Sequence, residues 1–297
     1  SVCKRRFLIA GFVKLTVVQF LFLLFEWFAT NSYVSFFQPA IFYSNTRGIE
    51  EFSLDSSGLF RNALGFEGRF SIGIFSTHRL SSLMLEQVSF ANYAMITSLF
   101  VVTFWNQLQN RIRVFLLFFI FLAITTNNSR TGTMFVVMIL ATGWTFAKLR
   151  TQYSTLIMPA FLLVCWIAYF DPNYGNVLVA DDFAGRIGYT ISRLSNLPPT
   201  NWLFGAPSLA ERAVDSGYIY LLSTLGILGF IGWCCFPALV VSTTKPETRI
   251  YLYGIALFFT INLMIGSGIF TIKIAAISWF ILGHLAFPWR TTDEDYR

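Results

Sequence analysis

Apolar residues occur in long runs along this chain, without the period of about 3.6 or about 2 that marks amphipathic helices or strands. A helix needs about 20 mostly apolar residues to cross the ~30 Å hydrocarbon core of a bilayer. Eight segments reach or approach that length, at about 7–30, 87–105, 112–127, 131–148, 154–171, 215–242, 249–267 and 269–288. The pattern predicts an all-α integral membrane protein with about eight transmembrane helices, forming a single polytopic domain over residues 1–297.

Two long segments, about 31–86 and 172–214, separate some of these spans. Connections longer than about 12–15 residues are usually functional or disordered. Both segments mix aromatic and aliphatic residues with polar ones, which indicates that they fold on the membrane surface. The stretch 186–194 predicts a short amphipathic helix, and the polar break at 127–132 predicts a tight turn between antiparallel helices.

Positive charge near the ends of the spans predicts their orientation. One arrangement places the Lys and Arg residues of both termini and of the short connections on the same side, which is then the cytoplasm. These residues are Lys4, Arg5, Arg6, Arg111, Arg113, Lys148, Arg150, Lys245, Arg249, Arg290 and Arg297. The segments 31–86 and 172–214, the tight turn near Arg130 and a turn near Gly268 are then expected on the opposite, periplasmic side.

Composition agrees with this prediction. The chain is 55% hydrophobic and 12% charged, whereas a soluble domain is about 25% charged. The formal net charge of +6 is explained by membrane orientation better than by nucleic-acid binding, because the basic residues occur in short groups. Three of the four cysteines lie in apolar runs, and their spacing predicts neither a disulfide framework nor a metal site.

The basic residues of the outer segments are all arginines: Arg47, Arg61, Arg69, Arg79, Arg130, Arg186, Arg193 and Arg212. Arginine presents a planar fork of donors that binds phosphate bidentately. These residues therefore indicate either a phosphate-bearing ligand or lipid headgroups to which the side chains extend. Arg186 and Arg193 would lie about two helical turns, or ~10.5 Å, apart on one face. That spacing suits a bridging diphosphate, and it equally suits an interfacial helix on anionic lipid.

Several other ionisable residues lie where the outer segments meet the spans. Glu86 and Asp215 precede spans, so each is a candidate base and also a candidate for stabilising a helix N-terminus. Glu26 lies near the outer end of the first span and needs a partner if it is buried. His78 is a candidate proton acceptor. Lys273 lies near the outer end of the last span, with phosphate or Glu26 as expected partners.

Four segments resemble the membrane polysaccharide polymerases related to O-antigen polymerase and O-antigen ligase, and look closest to exopolysaccharide polymerases of the colanic-acid type. They are HRLSSLMLEQVSFANYA at 78–94, NNSRTG at 127–132, GRIGYTISRLSNLPPTNWLFGAPS at 185–208 and DSGYIYLLSTLGILGF at 215–230. Their order and side match the predicted topology. Members of that family usually have more spans, so the resemblance implies that this chain is a fragment of a larger bundle.

The resemblance implies a metal-independent glycosyltransferase without a cofactor, acting at the periplasmic face of the bacterial inner membrane. It would join oligosaccharide repeat units carried on undecaprenyl diphosphate. The residues expected to bind the diphosphate or glycan are Arg79, Arg130, Arg186, Arg193 and Lys273. The residues expected to take the proton of the acceptor hydroxyl are Glu86, Asp215 and His78. Further expected partners are membrane lipid and a protein that regulates chain length.

Two alternatives remain open. Ligases of this superfamily carry a functional His in the large loop before the Asp-led helix. Segment 172–214 contains no His, which favours a polymerase, but His78 keeps a ligase open. The other alternative is a flippase or exporter of a lipid-linked glycan, for which charged or helix-breaking residues are expected near the middle of the membrane. Nearly all charges here lie at span ends or outside.

Overall fold

The computed structural model describes residues 2–47, 58–59, 63, 78–171, 183–206, 216–241, 245–266 and 268–286. Secondary structure in these residues is entirely helical. The α-helices are α1 (Val2–Phe28), α2 (Thr30–Phe37), α3 (Pro39–Arg47), α4 (Gln87–Thr103), α5 (Asn110–Asn127), α6 (Arg130–Thr142), α7 (Ile157–Phe170), α8 (Phe183–Ser195), α9 (Pro199–Phe204), α10 (Gly217–Val240), α11 (Pro246–Ile265) and α12 (Ile272–Ala286). Short 3-10 helices lie at Ser82–Met84, Trp105–Gln107, Gly143–Lys148, Thr151–Leu156 and Gly268–Phe270.

Five helical stretches in the described residues are long and apolar enough to cross a membrane. They are Arg6–Phe28, Asn110–Asn127, Thr151–Phe170, Gly217–Val240 and Pro246–Ile265. The chain thus has the character of a helical membrane protein, as its sequence predicts. The remaining apolar helices, α4, α6 and α12, are shorter, so the eight full-length spans predicted from the sequence are not confirmed.

The burial of α4 explains how a predicted span can be shorter than a bilayer. Its 17 residues give a length of ~26 Å, and 16 of them are buried within the protein. A helix enclosed by protein does not need to match the hydrocarbon thickness. The buried hydroxyls of Thr97 and Ser98 donate to carbonyls of their own helix at 2.8 and 2.7 Å, so enclosure leaves neither donor unpaired.

The predicted span at 131–148 ends early. α6 stops at Thr142, and the chain continues as the 3-10 helix Gly143–Lys148. Phe146 of this 3-10 helix stacks on Tyr253 of α11, with the ring centroids 5.3 Å apart. Packing against α11 thus turns the chain where the apolar pattern alone predicted that the helix would continue.

The segment 31–86, which the sequence predicts to lie outside the spans, is helical where it is described. α2 and α3 occupy residues 30–47, within the predicted loop. Gln38 separates the two helices and has a left-handed backbone with φ of 45°. Ala40 N donates to Gly58 O at 3.4 Å. A Cβ at Gly58 would lie 2.6 Å from Val34 Cγ1, so only glycine allows this close approach of α2.

The described residues form two compact units, with unit 1 ending at Ala141 and unit 2 beginning at Thr142. In unit 1, α5 packs against both α4 and α1, and α4 contacts α1 through side chains. Phe100 of α4 stacks on Phe12 of α1 with centroids 4.0 Å apart, and the Tyr93 hydroxyl of α4 lies 2.8 Å from that of Thr16 in α1. This polar link across the core fixes the position of α1 along α4.

In unit 2, α11 is the central helix, and it contacts α7, α8, α10 and α12. The buried Tyr251 hydroxyl donates to Ser278 O of α12 at 2.8 Å. Aromatic rings fill the space between α10 and its neighbours, with Trp233 against Trp279 at 5.5 Å between centroids and against Phe259 at 5.8 Å. α10 is thereby held along its length by large apolar side chains.

α10 is broken at Gly226, whose backbone is non-helical with φ of 64° and ψ of −177°. Without the next helical turn, Ser223 O needs another donor, and Ala206 N supplies it at 2.5 Å. The end of α9 therefore packs directly against the break. A Cβ at Gly226 would lie only 2.2 Å from Leu203 O, so this close approach of two backbones requires glycine.

Candidate functional site

Glu26 anchors the segment that leads into α4. The carboxylate is fully buried near the end of α1. Its Oε2 accepts the backbone N–H groups of Ser81 at 2.8 Å and Ser82 at 2.6 Å, and its Oε1 accepts the Ser81 hydroxyl at 3.2 Å. The Tyr33 hydroxyl donates to Ser82 O at 2.6 Å. Two backbone N–H groups and one hydroxyl are thus held by a single buried side chain, and these contacts fix the backbone that follows His78 and Arg79.

His78 lies beside this carboxylate. Its Nε2 is 3.8 Å from Glu26 Oε1, and the residue is 8% exposed. Burial, rather than the nearby acid, dominates the titration and lowers the pKa of His78 below its ordinary value of 6.5. The imidazole is therefore neutral near pH 7, which is the form that accepts a proton.

Arg79 and Asn127 join two segments that are far apart in sequence. Arg79 Nε donates to Asn127 O at 2.8 Å. In return, Asn127 Nδ2 donates to Leu80 O at 2.7 Å and to Gln87 O at 2.9 Å. Asn127 ends α5, and Gln87 begins α4. The side chains of one arginine and one asparagine thus cross-link the start of α4 to the end of α5.

Two buried amide oxygens lie at this junction. Gln87 and Asn127 are at most 2% exposed. Neither Gln87 Oε1 nor Asn127 Oδ1 accepts a hydrogen bond from the residues that the structure describes. Buried acceptors are normally satisfied, so these two atoms can accept from water or from a hydroxyl-bearing ligand.

Arg130 follows the tight turn that the sequence predicts. Asn128 has a left-handed backbone with φ of 53°, and the Ser129 hydroxyl accepts the Gly132 N–H at 3.1 Å at the start of α6. Arg130 is the first residue of α6 and is exposed. Since Asn127 also contacts the start of α4, the positive ends of two helix dipoles lie near this turn.

Glu86 immediately precedes α4, but its side chain does not cap the helix through a backbone N–H. Its Oε2 instead accepts the Ser89 hydroxyl at 2.5 Å, and the residue is half-buried. The carboxylate therefore lies at the N-terminal end of α4, where the helix dipole favours negative charge.

In unit 2, the predicted amphipathic helix is present as α8. Ile191 and Leu194 are fully buried. The Thr190 hydroxyl donates to that of Ser216 at 2.9 Å, and the Ser216 hydroxyl accepts the Ile219 N–H at 3.4 Å, capping α10. The capping role that the sequence leaves open for Asp215 thus belongs to its neighbour Ser216. Asp215 itself lies outside the described residues.

The two arginines of α8 have different surroundings. Arg186 is half-buried, and one of its Nη atoms donates to Ile265 O, at the end of α11, at 2.9 Å. A cation at this position suits the negative end of the helix dipole. Arg193 is exposed, and its guanidinium carbon lies 5.5 Å from the centroid of the Tyr189 ring. The guanidinium N–H donors of Arg193 are therefore mostly exposed. Arg186, in contrast, also forms a hydrogen bond to the end of α11.

Lys273 is half-buried in the first turn of α12. Of the other arginines that the sequence places in the outer segments, Arg61, Arg69 and Arg212 lie outside the described residues, as does the side chain of Arg47. No group of three or more His, Cys, Asp and Glu side chains within the described ranges could hold a metal ion.

The geometry therefore brings together His78, Arg79 and Glu86 on one segment of unit 1, next to the turn that carries Arg130. Comparisons with known proteins add nothing to this arrangement. No protein-family model, no curated protein and no solved structure matches the chain.

Chemically, unit 1 combines a half-buried carboxylate, a neutral imidazole and an exposed guanidinium near two helix N-termini. The carboxylate and imidazole can accept protons. Helix N-termini and a guanidinium stabilise a developing phosphate charge. These are the components that proton abstraction and the departure of a phosphate leaving group require.

Sequence reasoning missed the roles of Gln87 and Asn127, and it missed the partners of Glu26. Asn127 appears in the sequence only as part of a polar turn, which usually indicates exposure. The only available signal was the position of an amide residue at the junction of two apolar runs. Its contacts come from residues 40 and 47 positions away, which no local pattern reveals.

Proposed function

We propose that this chain is a polysaccharide polymerase that joins oligosaccharide repeat units carried on undecaprenyl diphosphate at the periplasmic face of the inner membrane. One observation carries the proposal. The two segments of unit 1 that resemble the polymerase family, around Arg79 and around Arg130, are cross-linked through Asn127. Their ionisable residues thus share one end of the helices of unit 1.

In the proposed reaction, a hydroxyl oxygen of the acceptor glycan attacks the anomeric carbon of the donor glycan. The base, Glu86 or Asp215, takes the hydroxyl proton, and His78 is the alternative acceptor. The bond between the anomeric carbon and the phosphate oxygen breaks, and its electron pair leaves with the carrier diphosphate. One glycosidic bond forms as one glycosyl–phosphate bond is lost, so the step needs no oxidant or reductant.

The cationic residues have a separate role in this proposal. Arg130 and Arg193 are exposed and can reach a ligand directly, whereas Arg79, Arg186 and Lys273 are half-buried and would add positive charge. Guanidinium groups bind phosphate bidentately and keep their charge. They would stabilise the negative charge that develops on the diphosphate as it leaves.

Two further observations support a glycan as the ligand. Gln87 Oε1 and Asn127 Oδ1 are buried acceptors without donors among the described residues, and sugar hydroxyls are donors. Glu86 lies at the start of α4, immediately before Gln87, which would place a base next to the acceptors that orient a hydroxyl.

The break in α10 favours a second candidate, a transporter of a lipid-linked glycan. Gly226 interrupts a helix long enough to cross a membrane, and transporters often use such broken helices around their substrate sites. A transporter is expected to have charged or helix-breaking residues inside its spans. The sequence has few charges there, but Gly226 is a helix-breaking residue within a span.

The test uses cells that lack their own polymerase but make the lipid-linked repeat unit and export it. Expression of the full-length protein should convert single repeats into a ladder of longer glycans on gels. Arg130→Ala should abolish the ladder at normal protein levels. Arg111→Ala is the matched control, because Arg111 is also an exposed arginine in the first turn of a helix of unit 1 but lies at the opposite end of α5, and it should leave the ladder intact.

The polymerase proposal is contradicted if the wild-type protein produces no ladder although carrier-linked repeat units are present outside the membrane. If the protein instead restores the outward movement of repeat units in cells lacking a flippase, the transporter is supported. Transfer of finished polymer to an acceptor without growth of chain length would indicate a ligase.

A further inference from the structure

A different part of unit 2, residues 143–156, forms two consecutive 3-10 helices, Gly143–Lys148 and Thr151–Leu156. Side chains three positions apart share a face in a 3-10 helix. Gly143 and Ser154 are buried, and Phe146 packs on α11. The other positions of the two 3-10 helices face mostly outwards. We call residues 143–156 the basic strap.

The strap is held firmly against α11. Arg249 donates from a guanidinium Nη to Ala147 O at 3.2 Å, and the Tyr253 hydroxyl donates to Arg150 O at 2.6 Å. The rings of Phe146 and Tyr253 stack with centroids 5.3 Å apart. Three contacts from two neighbouring turns of α11 therefore fix the backbone of the strap, so its outward side chains form a defined surface.

That surface combines positive charge with large apolar groups. Lys148 and Arg150 are exposed. Tyr153 is 52% exposed and Leu156 57% exposed. The remaining exposed large side chains of the strap are Trp144 and Leu149.

Charge at the start of α11 extends the surface. Lys245, immediately before α11, is exposed, and Arg249 lies one turn further on. The strap contains no acidic residue, and the stretch 245–249 contains only Glu247. The two stretches together carry four basic residues and one acid, so the surface is complementary to an anion.

The position of the strap decides between kinds of anion. Thr151–Phe170 is one of the helical stretches apolar enough to cross a membrane, and the strap includes its beginning. Exposed Trp and Tyr at the end of a span lie at the level of lipid headgroups. Basic side chains beside them bind anionic headgroups. A soluble anion would leave the exposed Leu149 and Leu156 in contact with water, whereas the acyl chains of a lipid would cover them.

We propose that the basic strap, with Lys245 and Arg249, binds the phosphate headgroup of an anionic phospholipid in the leaflet at this end of the spans. The phosphates would contact Lys148, Arg150 and Lys245, and the apolar side chains of the strap would contact the acyl chains. This site is independent of the proposed polymerase activity.

The test measures lipid binding to the purified full-length protein by native mass spectrometry and by thermal unfolding. The probes are cardiolipin and phosphatidylethanolamine at equal concentrations. Cardiolipin should bind and raise the unfolding temperature, and phosphatidylethanolamine should do so far less. In the double variant Lys148→Gln with Arg150→Gln, the apparent Kd for cardiolipin should rise about tenfold or more, because each basic residue contributes separately to binding.

The matched control is Arg6→Gln with Arg111→Gln, which removes two exposed basic residues from unit 1. It should bind cardiolipin like the wild type. Both double variants must elute as a single species and unfold normally without lipid; if the strap variant fails this check, Lys148→Gln alone replaces it.

Three results would overturn the proposal. Equal binding of the two lipids would mean that charge is not recognised. An equal loss of binding in both double variants would indicate a general effect of net charge. Stabilisation by inorganic phosphate alone, equal to that by cardiolipin, would show that a lipid headgroup is not required.

Discussion

Arg79 of unit 1 and Arg193 of unit 2 lie in contrasting surroundings. In unit 1, Arg79 is tied into the fold through Asn127, and the same segment is anchored by Glu26. In unit 2, Arg193 is exposed on the surface of α8, with its guanidinium group over the ring of Tyr189. Both residues look alike in the sequence, as arginines of segments that are predicted to lie outside the membrane. In the structure, Arg79 contributes to stability, whereas the exposed Arg193 is available for a ligand.

This difference predicts how substitutions at the two places act. In unit 1, a change at the cross-link should reduce stability and activity together, because the candidate site and the packing of α4 use the same hydrogen bonds. In unit 2, a change at Arg193 should affect activity without affecting stability. The substitutions below test this contrast, in order of decreasing effect on the free energy of unfolding.

The largest effect is expected for Asn127→Asp. The substitution keeps the shape of the side chain but replaces the Nδ2 donor, which contacts Leu80 O and Gln87 O, with an acceptor. A buried carboxylate would then face two carbonyl oxygens at hydrogen-bonding distance. We expect the free energy of unfolding to fall by about 3–5 kcal/mol, measured by thermal unfolding of the purified protein in detergent, and the glycan ladder to disappear.

Asn128→Asp is the control for this substitution. It introduces the same negative charge at the end of the same helix, but at the half-buried residue that forms the left-handed turn, where Asp is also tolerated. A small loss is expected. Equal losses in the two variants would mean that charge at the end of α5, not the cross-link, determines the result.

The second effect concerns the break in α10. Gly226→Ala would place a Cβ 2.2 Å from Leu203 O on a residue with φ of 64°. The backbone of Gly226, with φ of 64° and ψ of −177°, lies in a region that essentially only glycine adopts. A residue with a Cβ there costs about 1–3 kcal/mol, and displacement of α9 adds to it. We expect an unfolding free energy lower by at least about 2 kcal/mol in the same thermal assay.

Gly232→Ala provides a control in the same helix, because a Cβ there would meet nothing within 4 Å. Alanine in a helical position should be neutral or stabilise by about 0.5–1 kcal/mol. If the two substitutions gave the same result, the contact between α9 and the break would not contribute to stability. Export assays on Gly226→Ala would also show whether the break serves transport.

The helical membrane character of the chain could be predicted from its sequence, because long apolar runs carry that information residue by residue. The tight turn at 127–132 and the helix α8 were also predictable, from a polar break and from an amphipathic pattern. The number of full spans was less predictable. The lengths of α4 and α6 depend on packing against other helices, which apolar runs do not encode.

The candidate site was predictable only in part. His78, Arg79, Glu86 and Arg130 could be selected by residue type and by position at span ends. Their surroundings could not be predicted, because Glu26 contacts residues 55 and 56 positions away. The break in α10 could not be predicted either, because it occurs at one of several glycines in an apolar run. Nothing local distinguishes Gly226 from Gly232, and only the approach of α9 does so.

A smaller effect is expected from pH through His78. Burial lowers the pKa of His78 below 6.5, so the unfolded chain takes up this proton at higher pH than the folded protein does. Its contribution to stability is fully present above pH ~6.5 and decreases as the pH falls, by at most about 1.4 kcal/mol per pH unit, until the folded pKa is reached. Thermal unfolding between pH ~8 and ~5 measures the slope.

His78→Gln removes this titration and should flatten the stability profile below pH ~6.5. A variant with the same slope as the wild type would show that other groups cause the acid sensitivity. A slope of opposite sign in the wild type, with stability rising as the pH falls, would mean that Glu26, 3.8 Å away, outweighs burial.

The smallest effect on stability, and the clearest effect on function, is expected for Arg193→Ala. The side chain is exposed and its stacking on Tyr189 is worth about 0.5–1 kcal/mol at such a site, so the unfolding temperature should barely change. The ladder should nevertheless be lost if Arg193 binds the diphosphate. Arg193→Lys keeps the charge but lacks the bidentate fork, and it should restore short chains only. Wild-type ladders in both variants would remove Arg193 from the site, and unit 1 would then have to supply phosphate binding through Arg79 and Arg130.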